Sequence, residues 1–432
     1  MSLRAGFAEV DITPPVGIRK FGLMKAIVSD HVLDPLYGRV AIVESAGGQV
    51  AFIQLDTLFI DFDQVVQIRS RISQEYGFPS DNIMIAATHN HAGPAVWGAE
   101  DVRGDADYVE TLVKRLVSTF GRARECLQEA EIGFGSCFEF NVGHNRRVVM
   151  RDGTVRTLGK FTNPNALCAE GPIDPEFAGL VARNKNGEVL GAIVNFSCHP
   201  IHHVGETSLS AGYPGVLART MKTEVCPVTL FLNGASGNIG PRDPSRGGTP
   251  KSKEEIGAIL ADDLSKIIEQ MVFRTQVKLR CRSKTIRLPF RKVTDSEIRG
   301  VIKGSQRLMD SSIYDRAIPG VLERIRRLGT EPALVQVILI DEYAYVGIPA
   351  EYFAELGLRI KEQVYPAHAL IVGYANGCVG YVPHKEAFLR GGYETTFGEF
   401  SRLAPEAGDI LADSAIELIK EEVLSQRFVP HS

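Results

Sequence analysis

The chain is 432 residues long, carries a formal net charge of −4 and is 44% hydrophobic, an ordinary balance for a soluble globular protein. With no basic cluster and no stretch near the ~18 uninterrupted apolar residues of a membrane span, neither nucleic-acid binding nor stable membrane anchoring is expected. Seven cysteines, odd in number and without a CxxC pair, point to reduced thiols. No signal-peptide core opens the chain, so it reads as cytoplasmic.

In chain order, a strand-like segment begins at Gly6-Phe7-Ala8-Glu9-Val10. Strands are expected at 39–44 and 50–55, a helix at 63–76, and a strand at 83–87 that runs straight into Thr88-His89-Asn90-His91-Ala92-Gly93-Pro94. Two histidines spaced i, i+2 at a strand exit stand where open α/β sheets present their chemistry. Imidazole is the commonest metal ligand and titrates near neutral pH. The Gly-Pro that follows lets the loop turn sharply, so one ring can face a metal and the other a substrate. A helix is expected at 108–128 and a more polar, antiparallel stretch at 132–151. The strand at 190–195 then leads into Asn195-Phe196-Ser197-Cys198-His199-Pro200-Ile201-His202-His203. Five of the ten histidines fall in these two post-strand segments. His199, between a strand end and Pro200, is a candidate ligand. His202 and His203 fit a buried structural role better, or could reshape the pocket or reach a second cation. A histidine pair with a carboxylate and an open position is the usual recipe for catalytic zinc.

Helices at 215–223 and 253–271 flank a strand at 228–232, followed by an antiparallel run at 277–289. Helices at 295–309 and 318–328, strands at 334–340 and 344–348, a helix at 351–362, a strand at 369–372 and a helix at 407–424 complete the pattern. The strands are short, rich in Val, Ile and Leu, and barely alternating, as buried strands are. Their alternation with helices predicts a layered α/β/α fold with a mixed central sheet, one domain over residues 1–432, without internal repeat.

Taken in order, these segments resemble the catalytic domain of the neutral/alkaline ceramidase family. The resemblance rests on Asp34-Pro35-Leu36-Tyr37-Gly38-Arg39, Gln54-Leu55-Asp56, the THNHAGP segment, Asn145-Arg146-Arg147, and Ile348-Pro349-Ala350-Glu351. It continues through Gly373-Tyr374-Ala375-Asn376-Gly377-Cys378-Val379-Gly380-Tyr381-Val382-Pro383 to Gly392-Tyr393-Glu394. The family's immunoglobulin-like C-terminal domain and secretory leader have no counterpart, so a trimmed relative is expected. The resemblance implies a zinc ion held by His89, His199, Glu351 (opening a helix) and Tyr381. It implies proton transfer by His91, and an Arg146 that clamps a substrate carbonyl or carboxylate. Tyr381 can also swing off the metal or stabilise an oxyanion, which makes it catalytic as well as ligating.

Two departures bear on mechanism. Gly240 stands where secreted ceramidases carry a serine proposed as catalytic, and Gly212 stands where an aspartate is usual. Ser236 nearby is a poor substitute nucleophile, and the loop 233–238 reads as a source of backbone and amide donors. The expectation is therefore a zinc-dependent hydrolase that uses metal-bound water on an amide bond. Its substrate would be a small N-acyl compound rather than ceramide, with Trp97 as a candidate pocket residue. Ester, lactone or carbohydrate-directed chemistry on the same zinc is the alternative. A non-catalytic metal-binding sensor is a further one.

Overall fold

Three stretches of the chain fold to one plan in a computed structural model, which describes residues 2–46, 48–98, 102–247 and 250–424. The first comprises β1 (Arg4–Asp11), β2 (Tyr37–Ser45), β3 (Gly48–Leu55), α1 (Phe62–Tyr76), β4 (Ile83–Ala87) and α2 (Ala106–Glu125). The second comprises β5 (Glu131–Phe138), β6 (Glu176–Arg183), β7 (Val189–Phe196), α3 (Gly212–Glu224), β8 (Thr229–Asn233) and α4 (Lys253–Gln270). The third begins with β9 (Leu279–Pro289), inserts α5 (Ser311–Leu328), and continues with β10 (Thr330–Ile340) and β11 (Tyr343–Gly347). It then runs through β12 (Glu351–Tyr352), α6 (Ala354–Gln363), β13 (His368–Val372), β14 (Tyr381–Val382) and α7 (Ala407–Leu424).

Each unit makes a sheet in which three successive strands pair antiparallel and a fourth, reached through a helix, joins the third in parallel. A parallel partner requires such a crossover, because a tight hairpin can only reverse direction. The mixed α/β architecture expected from the sequence is present, its sheet divided among three units. The repeat is one of topology and was invisible in the residues themselves.

One face of every sheet enters a shared centre, where Val43 and Phe52 of the first meet Leu180 and Ile193 of the second and Ile338 and Val372 of the third. The other face is covered by a helix pair, α1 with α2, α3 with α4, and α6 with α7. The helices earn their places by periodicity: Val65, Ile68 and Ile72 form the buried stripe of α1. Asp61 and Gln64 close its first turn as a capping box, and Gly77 ends it in a left-handed conformation.

The units meet at the strand ends in a ring of hydrogen bonds. Ala87 N–H donates to the Tyr374 carbonyl at 3.2 Å, and Gly373 N–H to the Asn233 carbonyl at 2.9 Å. The Asn233 side chain closes the ring by donating to the Thr88 carbonyl at 3.1 Å.

Two expected helices change. The one at 295–309 is confined to Asp295–Ile298: Thr294 and Glu297 cap its start, but Gly300 and Gly304 take positive φ and end it. The one expected from residue 351 begins at Ala354, because Glu351 pairs as a strand with Tyr381. Among the described residues no helix is long and apolar enough to cross a membrane.

Candidate active site

Segments leaving the ends of β4, β7 and β11 converge on one buried point. His89 follows β4 and His199 follows β7, while Glu351 lies four residues beyond β11. His89 takes φ +66°, a left-handed conformation that costs a non-glycine residue about 1–3 kcal/mol and is found where function demands it. Glu351 is set by its own short strand. Its N–H donates to the Gly380 carbonyl at 2.9 Å, and the parallel pairing of β12 with β14 places it beside Tyr381.

Each imidazole gives Nδ1–H to a backbone carbonyl: His89 to Leu58 at 3.1 Å, His91 to Gly22 at 2.8 Å, and His199 to Ser236 at 2.6 Å. A carbonyl only accepts, so the proton of each neutral ring sits on Nδ1 and the Nε2 lone pair points inward. The Nε2 atoms of His89 and His199 lie 3.0 Å apart, and that of His91 lies 3.2 Å from His89. Glu351 Oε2 stands 3.3 Å from both His89 and His199 Nε2 and has no hydrogen-bond donor of its own. Burial drives the His89 imidazole down to about 3 and holds His91 and His199 well below the ordinary histidine range. Uncharged rings facing a carboxylate with lone pairs alone are repulsive unless a cation lies between them. The donor set fits a metal ion, and these histidines can hold one.

His89 and His199 are sealed from solvent, whereas His91 is partly exposed. Arg146 is no surface residue. Its Nε donates to Glu394 Oε1 at 2.9 Å, and its Nη2 to the Gly237 carbonyl at 2.8 Å and the Tyr381 hydroxyl at 3.1 Å. Burial, then the Glu351 charge, raises the Tyr381 phenol well above its usual range, with Arg146 opposing. Glu394 also accepts from Arg147 Nη1 at 2.7 Å and from the Thr157 hydroxyl at 2.6 Å. Burial alone would favour its neutral form, but Arg147 and Arg146 outweigh this and hold its carboxyl below the usual range.

The cleft beside these groups is narrow, with room of about 50 Å³. His89, His91, Glu351 and Tyr381 line one end, and Phe21, Phe59 and Phe400 supply an aromatic wall. Trp97 packs behind that wall, 5.7 Å from Phe21 and 6.1 Å from Phe400 between ring centroids. Larger surface hollows, such as the one walled by Phe290 and Phe388, lie away from the imidazoles.

Other residues singled out from the sequence stand apart. His202 Nε2 is 3.0 Å from the Lys251 carbonyl, and His203 pairs with Glu206, so neither faces the imidazole centre. Ser236 exchanges a 2.8 Å hydrogen bond with the Tyr374 hydroxyl and has no basic partner. A side chain at Gly240 would meet only the Arg146 Cδ, at 3.9 Å. Gly212 opens α3 at φ +64°, which suits glycine better than aspartate.

Sequence reasoning missed Tyr374, whose ring stacks on His89 at 4.0 Å and 12°. It also missed Glu394 and the carbonyls of Gly22, Leu58 and Ser236. Tyr374 and Glu394 lie in motifs that were noted without a role. The carbonyls leave no trace in residue identity. The exception is Gly22, where a Cβ would overlap the His91 carbonyl oxygen.

No family model matches the chain. It is similar to the neutral ceramidase of Pseudomonas aeruginosa, at 23% identity over 96% of this chain and 72% of that protein. The chain is a homologue of neutral ceramidase. The crystal structure of the Pseudomonas aeruginosa neutral ceramidase matches with a TM-score of 0.74 at 21% identity, over 98% of this chain and 75% of that one. A ceramidase complexed with C2 matches with a TM-score of 0.76 at 19% identity, over 100% and 76%. The three-unit architecture is thus the ceramidase fold.

Proposed function

We propose that the chain is a zinc-dependent amidohydrolase, a single catalytic unit in which His89, His199, Glu351 and Tyr381 hold the metal and the substrate is a small N-acyl compound. The meeting of the inward His89 and His199 lone pairs with the partnerless Glu351 oxygen, 3.3 Å from both, carries this reading. Similarity to a neutral ceramidase over most of the chain supports the amide as the bond attacked. Zinc in such a site acidifies a bound water to a pKa of about 7 and polarises a carbonyl.

The chain's own groups do the rest. His91 reaches the cleft, and its Nδ1–H stays on the Gly22 carbonyl. Nε2 is then the atom that takes a proton from water and returns it to the leaving amine, while the Gly22 oxygen steadies the imidazolium. Arg146, locked by Glu394, fixes the Tyr381 hydroxyl so that it can lie on the metal or face the developing oxyanion. A serine nucleophile is disfavoured: Gly240 has no side chain, and Ser236 lacks the adjacent base it would need. The cysteines are free thiols, which supports a cytoplasmic setting.

The test is elemental analysis after zinc-supplemented purification, expected to find about one zinc per chain. It is paired with amine release from an N-acyl panel run beside matched esters and lactones. Absence of a transition metal, or turnover confined to esters or lactones, overturns the reading. An acyl group trapped on Ser236 overturns attack by water.

A further inference from the structure

The cleft has a second end, and its chemistry differs from the metal end. Among the described residues, besides Glu351, which faces the imidazoles, no formally charged side chain lines it. The group that lies there is therefore uncharged and apolar, which fits the acyl part of a substrate better than an amine or a sugar. Contacts trace how far it can extend. The Phe59 ring lies 5.2 Å from that of His89, and Phe400 stacks on Phe59 at 5.9 Å. Phe400 in turn packs with Met309 against Met24, Ile313 and Ala317, the last two on α5. Met24 is 5% exposed and so is held in that packing rather than free to swing into solvent. At about 50 Å³ the space is well below the ~300–1,000 Å³ of drug-sized ligand sites.

We propose that Met24 and Met309 cap the acyl end of this cleft and restrict the enzyme to short-chain N-acyl substrates, acetyl to butanoyl. This rests on the amidohydrolase reading for its chemistry but on the cleft alone for its size limit.

The test is a series of N-acyl anilides sharing one amine, from acetyl through butanoyl, hexanoyl and octanoyl to hexadecanoyl, assayed with the zinc-loaded full chain. kcat/KM should rise by up to about fourfold per methylene that fits, peak at or before butanoyl, and fall at least ~10-fold by octanoyl, since overfilling is itself unfavourable. Met24→Ala and Met309→Ala should each move the maximum to hexanoyl or longer, and Met309→Phe should pull it toward acetyl. A parallel measurement needs no turnover: thermal stabilisation of the same protein by the carboxylates acetate, butanoate, hexanoate and octanoate should show the same cut-off and the same displacement. If no anilide is cleaved but the carboxylate cut-off appears and moves, the amide reading fails and the cap stands. A flat profile or no response in both assays, or a cut-off unmoved in all three variants, overturns the cap.

Discussion

Glu394→Gln tests whether the ion-pair network behind Tyr381 serves the site or only the fold. The carboxylate is fully buried and accepts from Arg146, Arg147 and Thr157. Breaking a buried pair from one side costs about 3–5 kcal/mol, because a charge is left without its partner. Arg147 keeps Glu170, which also faces its guanidinium, so the loss concentrates on Arg146 and about 3 kcal/mol is expected. With an unfolding entropy of roughly 2.1 cal/mol/K per residue, that lowers Tm by only about 3 °C. The variant should therefore fold and can be assayed. Freed from Glu394, the guanidinium no longer fixes the Tyr381 hydroxyl, and kcat should fall on the order of 100-fold, the scale of losing one oriented donor. KM and zinc content should stay near wild type. Scanning fluorimetry, elemental analysis and amide turnover report the three quantities separately. A Tm drop of the expected size with kcat within twofold of wild type would refute the positioning argument and leave Glu394 purely structural.

His91→Ala should retain zinc while turnover drops on the order of 10²–10⁴-fold; loss of metal in that variant would make His91 a ligand. Glu176 predicts the acid stability of the third unit's contact with the second. Burial alone would raise its carboxyl, but His368 and Lys361 outweigh this and bring it down to about 2. Its folded pKa lies below the unfolded value, so its contribution of about 3 kcal/mol is present above pH ~4.5 and lost as pH falls toward ~2. Glu176→Gln should flatten that part of the stability–pH curve, measured by denaturant midpoints; an unchanged acid limb would contradict it.

Much of this structure was legible before any coordinates. The segment 83–87 is the observed β4, and the helix at 407–424 is α7, because long apolar periodicity and short Val/Ile runs survive any tertiary context. His89 and His199 could be singled out because they leave strand ends. Glu351 could not be placed correctly, since a two-residue strand such as β12 owes its existence to β14, thirty residues away in sequence. The helix expected at 295–309 is cut short because Gly300 and Gly304 take a positive φ that no helix accommodates. The carbonyls that orient the imidazoles are backbone atoms, and residue identity does not encode which of them will face a ring.

The ring of hydrogen bonds between Ala87, Tyr374, Gly373, Asn233 and Thr88 has a thermodynamic meaning. No unit contains the whole of the proposed donor set: the first holds His89, the second His199, and the third Glu351 and Tyr381. A fluctuation that lifts any one unit from the other two opens the ring and removes part of the set. Ligand binding that requires all three adds RT ln(1 + [L]/Kd) to the cohesion of the whole. A tightly held ion would therefore tie the three sheets, already joined through their shared centre, more firmly into one cooperative body, and its release rate would report their slowest joint opening rather than the strength of any single bond.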